Sequence, residues 1–135
     1  MHPGNIAIAG HLFFESIASM SFFLQPQKQL QDPAASEEAV LICHSYAGML
    51  LATNVLCLLS IIRSGSDKFD DTSAMVTWSM SIYHLFPIRR AWTRIKKRRD
   101  NYLAEEQIAG GPPGHLIIHS VLFLSLVLAG WCGRV

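Results

Sequence analysis

The chain has 135 residues, enough for one domain, and half of them are apolar while only 16% are charged, below the roughly 25% usual for soluble domains. A net charge of +1 argues against bulk attraction to nucleic acid. Three scattered cysteines, Cys43, Cys57 and Cys132, without a CxxC pair, exclude a disulfide framework, a zinc ribbon and a thioredoxin-type redox motif, and read as small packing residues.

The apolar residues fall into four blocks. The first, Ile6 to Leu24, spans roughly 28 Å as a helix, about one hydrocarbon core. It has no basic residues before it and is longer than the 7–15 residues of a signal h-region, so it is read as a permanent span. It ends before Gln25-Pro26, and a polar dozen containing Pro33 follows. Ser36-Glu37-Glu38 then suits a helix start, because a serine cap and two acids complement exposed N–H groups and the dipole. The second block, Ala39 to Ile62, carries no formal charge. Arg63 and Ser64-Gly65-Ser66 end it.

The third block, Ser73 to Ile88, reaches only about 24 Å. Trp78, Trp92, Arg89 and Arg90 extend it through the interface, and Pro87 is expected to bend its end. Residues 89–99 then hold seven of the eleven Lys and Arg residues. Beside a membrane segment such a run reads as a cytoplasmic anchor that touches anionic lipid rather than as a nucleic-acid patch. A polar stretch through Glu105-Glu106-Gln107 leads to the last block, Gly114 to Cys132. The predicted fold is all-α, a single domain over 1–135 built as a four-transmembrane-helix bundle with helices near 6–24, 39–62, 73–90 and 114–132. The basic run places the first and third connections in the cytoplasm and both termini and the second connection on the far side.

Each block carries ionisable groups, which are costly at membrane depth and usually functional there. Glu15 lies near the middle of its block. His84 and His119 fall about 5–6 Å from their block centres and His44 about 10 Å, all toward the cytoplasmic side, with His11 about 6 Å to the other side. His11, Glu15 and Ser19 share one helix face, as do Thr77, Ser81 and His84, with Tyr83 adjacent. His115 and His119 are one turn apart. His44 shares a face with the small residues Gly48 and Ala52, which would let helices approach closely. Asn54 is the other strongly polar group of the second block.

A carboxyl group and histidines in an oily interior suit general acid–base catalysis on a hydrophobic substrate. No nucleophile motif, phosphate loop or dinucleotide fingerprint is present, so a reaction needing only proton movement fits: isomerisation, epoxide opening or ring closure. The predicted catalytic groups are Glu15, His84, His119 and His44, with His11, Tyr83, Ser19 and Asn54 facing the substrate. A metal or haem on two histidines is the runner-up chemistry, but one HxxxH box does not carry it, and neither metal nor cofactor is assigned. The partners expected are a hydrophobic small molecule and membrane lipid, with no nucleic acid.

The motifs His11-Leu-Phe-Phe-Glu15-Ser, Tyr83-His84-Leu-Phe-Pro87 and Gly110-Gly-Pro-Pro-Gly-His115 add a resemblance. The chain resembles small integral-membrane proteins of filamentous fungi, some found with polyketide pathways. Among these it is similar to membrane epoxide hydrolases or cyclases of aurovertin- and citreoviridin-type pyrone polyenes. The resemblance implies opening of a polyketide epoxide by water or an internal hydroxyl, with roles for His11, Glu15, His84 and His115, and a location in the endoplasmic reticulum. An isomerase or cyclase of another lipophilic scaffold such as a terpenoid, and a non-catalytic binding or assembly subunit, stand as alternatives.

Overall fold

Among the described residues, the computed structural model has five helices: α1 (Pro3–Leu24), α2 (Pro26–Leu30), α3 (Glu37–Ser64), α4 (Asp71–Asp100) and α5 (Gly111–Cys132). The structure describes residues 1–30, 32, 34–100 and 111–133, with 98–100 described by backbone alone. Pro33, the stretch through Glu105, Glu106 and Gln107, and Gly110 of the last motif lie outside the described residues. Among the described residues there is no strand.

Local chemistry sets the helix starts. His2 caps α1 by accepting from the Gly4 amide at 3.1 Å, and Pro3 occupies a first-turn position where its missing N–H costs nothing. Ser36 caps α3 by accepting from the Ala39 amide, with Glu37 and Glu38 in the first turn, as the sequence predicts. Asp70 caps α4 by accepting from both the amide and the hydroxyl of Ser73, at 2.8 and 3.0 Å. At the end of α3, Gly65 adopts φ 81°, a left-handed backbone that favours glycine, and reverses the chain toward α4.

Two boundaries differ from the sequence reading. The third helix does not end near residue 90: α4 continues to Asp100, so the basic run is helical. The fourth block begins not at Gly114 but at Gly111, with Pro112 and Pro113 inside the first turn, where proline is compatible with a helix. The short α2 follows Pro26 directly and is an addition to the predicted elements.

The helices pack as two close pairs, α1 on α3 and α4 on α5, and α1 also lies along α5. Gly130 allows the second pair to close: a Cβ there would lie 2.8 Å from Trp78 Nε1 and 3.0 Å from Thr77 Oγ1. Ile8, Cys57, Val76, Met80 and Leu126 form the apolar core, with Ala7, Ile61 and Phe69 against it. Cys43, Ala47, Leu50, Ala74, Ala91 and Leu122 are buried as well, but much of the interior is polar: Asn5, His11, Glu15, Ser19, Asn54, Ser60, Ser73, Thr77, Ser81, His84 and His119 are buried. Outward-facing positions are apolar instead, including Ile6, Phe13, Ile17, Met20, Leu51, Leu58, Ile82, Ile117, Leu124 and Leu128. A greasy exterior around a polar interior is the arrangement a lipid solvent demands. Three helices, α1, α3 and α5, are long and apolar enough to cross a membrane. The chain is read on that basis as a membrane protein.

The ends are tied separately. At one end the His2 amide donates to the Ser66 carbonyl at 2.8 Å, and Asn5 Nδ2 lies within 2.7–3.2 Å of the Gly65, Ser66 and Lys68 carbonyls. At the other, Arg90 and Arg94 donate to the Gln29 carbonyl, and Gln29 Nε2 donates to Ser21 Oγ. The N-terminus therefore sits beside the α3–α4 connection, and α2 sits beside the basic end of α4.

Candidate functional site

The inward face of α1 bears Asn5, Ile8, His11, Glu15 and Ser19, spaced three or four residues apart so that each turn places one of them against the bundle. On α4 the same spacing brings Ser73, Thr77, Ser81 and His84 inward, and on α5 it brings His119, Leu122, Leu126 and Gly130 inward. Where these faces meet, the side chains form one connected polar cluster.

Glu15 is fully buried at its centre. The Tyr83 hydroxyl donates to Glu15 Oε2 at 3.0 Å, and the Tyr46 and Tyr83 hydroxyls are 2.9 Å apart. Glu15 Oε1 has no hydrogen-bond partner and faces His119 Nδ1 at 3.5 Å and His84 Nδ1 at 3.8 Å. His84 links the histidines: its Nε2 is 2.9 Å from His11 Nδ1, and its Nδ1 is 3.0 Å from His119 Nδ1. A neutral His84 must donate through one ring nitrogen and accept through the other. A tautomer change at His84 therefore reverses both of its hydrogen bonds and moves a proton along the row.

The sequence-predicted residues fall into two groups. Glu15, His84, His119, His11 and Tyr83 meet in the cluster. Ser19 and Asn54 do not reach it: Ser19 Oγ donates to the Ala47 carbonyl at 2.8 Å and Asn54 Nδ2 to Ser16 Oγ at 3.1 Å, and both ties hold α1 to α3. The Thr77 and Ser81 hydroxyls turn back onto carbonyls of their own helix. His115 is only partly buried, its ring 6.1 Å from that of His119.

His44 is not brought to this cluster; it packs on Phe23 with ring centroids 5.0 Å apart. The buried face of α3 is Cys43, Ala47, Leu50, Asn54 and Cys57, whereas Gly48 and Ala52 are exposed and a Cβ on Gly48 would meet open space. Small residues on the His44 face do not mark a helix contact here. Tyr46 is the participant that sequence reasoning missed, since a lone tyrosine in an apolar block reads as a packing residue.

The cluster also has the donor set of a metal site. His84 Nδ1, His119 Nδ1 and Glu15 Oε1 define a triangle with edges of 3.0, 3.5 and 3.8 Å. Ligand atoms of a tetrahedral ion with bonds of about 2.0–2.1 Å stand roughly 3.3 Å apart. His11, Glu15 and His84 likewise offer ligand atoms within 4.8 Å of one another. Comparison with protein-family models, curated proteins and solved structures found no match to the chain.

Proposed function

We propose that the protein is a membrane-embedded acid–base catalyst acting on a hydrophobic substrate, with α4 as a fourth span beside α1, α3 and α5. One observation carries the reading: a fully buried carboxylate, Glu15, takes a hydrogen bond from Tyr83 on one oxygen and turns the other toward two histidines of other helices. Proton-handling groups at such depth are expensive to maintain and usually have work to do. The low apolar content of α4 has a physical origin consistent with spanning, since its inward positions Ser73, Thr77, Ser81 and His84 are polar and buried.

The reaction proposed is epoxide opening on a polyketide-like scaffold, as the sequence resemblance implies, in the endoplasmic reticulum membrane. One member of the Glu15–histidine set protonates the epoxide oxygen as its C–O bond breaks. Another accepts the proton of the attacking water or hydroxyl, giving a diol or a cyclic ether. Glu15 belongs to the α1–α3 pair, while Tyr83, His84 and His119 belong to the α4–α5 pair. Separation along that seam is the route by which a substrate reaches the cluster from the lipid. Isomerisation or cyclisation of a terpenoid would use the same groups.

The test is turnover of a lipophilic epoxide by the full-length protein in host membranes. Glu15→Gln and His119→Ala each lower product by about 10²–10⁴-fold, the range of general acid–base catalysis, while the protein still accumulates in the membrane. His44→Ala leaves turnover unchanged. Full turnover in Glu15→Gln removes the proposal. The triangle of ligand atoms favours a second reading, a divalent cation held by Glu15, His84 and His119. Stoichiometric zinc or iron in the purified protein, lost in His84→Ala, would select it over proton transfer alone.

A further inference from the structure

The basic end of α4 is more than a charged tail. Phe86, Arg89, Arg90, Thr93, Arg94 and Lys97 follow one another at helical spacing of three, one, three, one and three residues, so they line one face over roughly 17 Å. With Leu30 of α2 they form a groove of about 460 Å³, within the size range of small-molecule sites.

Two of its four cations are fixed in place. Arg90 and Arg94 converge on the Gln29 carbonyl at 2.9 and 2.6 Å, and the Arg90 guanidinium lies 5.0 Å over the Phe22 ring. Each uses only part of its five-donor fork there. Arg89 and Lys97 are exposed on the groove's outer side. Because Arg90 and Arg94 meet at one carbonyl, like charges crowd one another there. No carboxylate lines the groove among the described residues.

The groove is also graded along its length. Phe86, 66% exposed, stands at the end nearer the membrane-embedded part of α4, and Lys97 stands at the outer end. An apolar mouth that continues into two fixed guanidinium groups, Arg90 and Arg94, flanked by Arg89 and Lys97 matches an amphipathic anion better than a soluble one. Guanidinium forks pair two-fold with phosphate oxygens, and a phosphomonoester offers three such oxygens and up to two charges.

We propose that this groove seats the headgroup of an anionic lipid bearing phosphomonoester groups, its phosphates among Arg89, Arg90, Arg94 and Lys97 and its acyl chains leaving past Phe86 and Leu30. The site adjoins the Glu15 cluster through Arg90, Phe22 and Tyr46 but does not depend on the chemistry proposed there.

The experiment is native mass spectrometry of the full-length protein in detergent, titrated with phosphatidylinositol 4,5-bisphosphate, phosphatidylserine or soluble inositol 1,4,5-trisphosphate. The bisphosphate lipid is expected to bind one equivalent, about tenfold or more tighter than phosphatidylserine. The double variant R89Q/K97Q, which leaves the Arg90 and Arg94 ties to α2 intact, weakens it by about 30-fold, near tenfold per 1.4 kcal/mol for two surface cations. R63Q at the opposite end leaves binding unchanged. Equal binding of phosphatidylserine, or an R89Q/K97Q protein that binds as wild type, overturns the proposal. A soluble trisphosphate that binds as tightly as the lipid overturns the lipid as the source and assigns the groove to a free polyphosphate.

Discussion

Glu15 and Asp70 show what burial does to a carboxylate. Taking an ionised carboxylate out of water costs several kcal/mol after relaxation, and Glu15 meets that cost only with partners supplied by other helices, Tyr83 above all. Asp70 is exposed and has a simpler task, capping α4. The Ser73 amide, then the Ser73 hydroxyl and the paired Arg63, hold its carboxyl below the usual carboxylate range against a smaller opposing effect of desolvation. A lowered value in the folded state means that the cap contributes fully above the unfolded value near pH ~3.9 and is lost as pH falls through the folded value beneath it. Asp70→Asn should therefore speed amide exchange at Ser73 and Ala74 at neutral pH. The difference from wild type should close as the solution is taken well below pH ~4. A difference that persists unchanged in acid would mean that the charge of Asp70 is irrelevant to the cap.

At the scale of the helix, one glycine sets how closely α5 approaches α4. Gly130 lets α5 lie against Trp78 and Thr77 of α4, and the same helix pair carries the 3.0 Å contact between His84 and His119. Gly130→Leu should force the pair apart at a cost of about 1–3 kcal/mol, typical of overpacking, and turnover should fall with it. Gly114→Leu, where a Cβ meets open space, should change neither. The check is the denaturation midpoint of each variant in detergent beside its activity; equal midpoints would show that the close approach at Gly130 contributes nothing. Helical phase made much of this legible beforehand. The stripes through His11, Glu15 and Ser19 and through Thr77, Ser81 and His84 are the buried ones. The phase of α3 is less legible, because its one histidine lies on the 44–48–52 face, whereas the buried stripe 43–47–50–54–57 contains only small, aliphatic and amide side chains. Depth is obscured in α4, where the apolar block covers only sixteen residues of a thirty-residue helix, and His84 stands level with His11.

At the scale of the molecule, the two ends differ in kind, and the difference gives a topology that can be measured. One end gathers the N-terminus, the α3–α4 connection, Arg63 and Asp70, where opposite charges offset each other. The other gathers α2 and the basic end of α4, where cations dominate and are tied to Gln29. An excess of lysine and arginine on one side of a span retains that side in the cytoplasm. The bundle should therefore hold Lys28 and Lys96 on the cytoplasmic face and Ser66 on the other, with α1, α3, α4 and α5 each crossing once. Cysteine labelling in sealed microsomes, whose cytoplasmic face is outward, tests this, in a background where the exposed Cys132 is replaced by serine. A membrane-impermeant maleimide should modify K28C and K96C in intact microsomes and reach S66C only after permeabilisation. Labelling of K96C together with S66C would mean that α4 does not cross. The cationic groove would then lie on the wrong side for the anionic lipids of the cytoplasmic leaflet, while the buried contacts around Glu15 would need no revision.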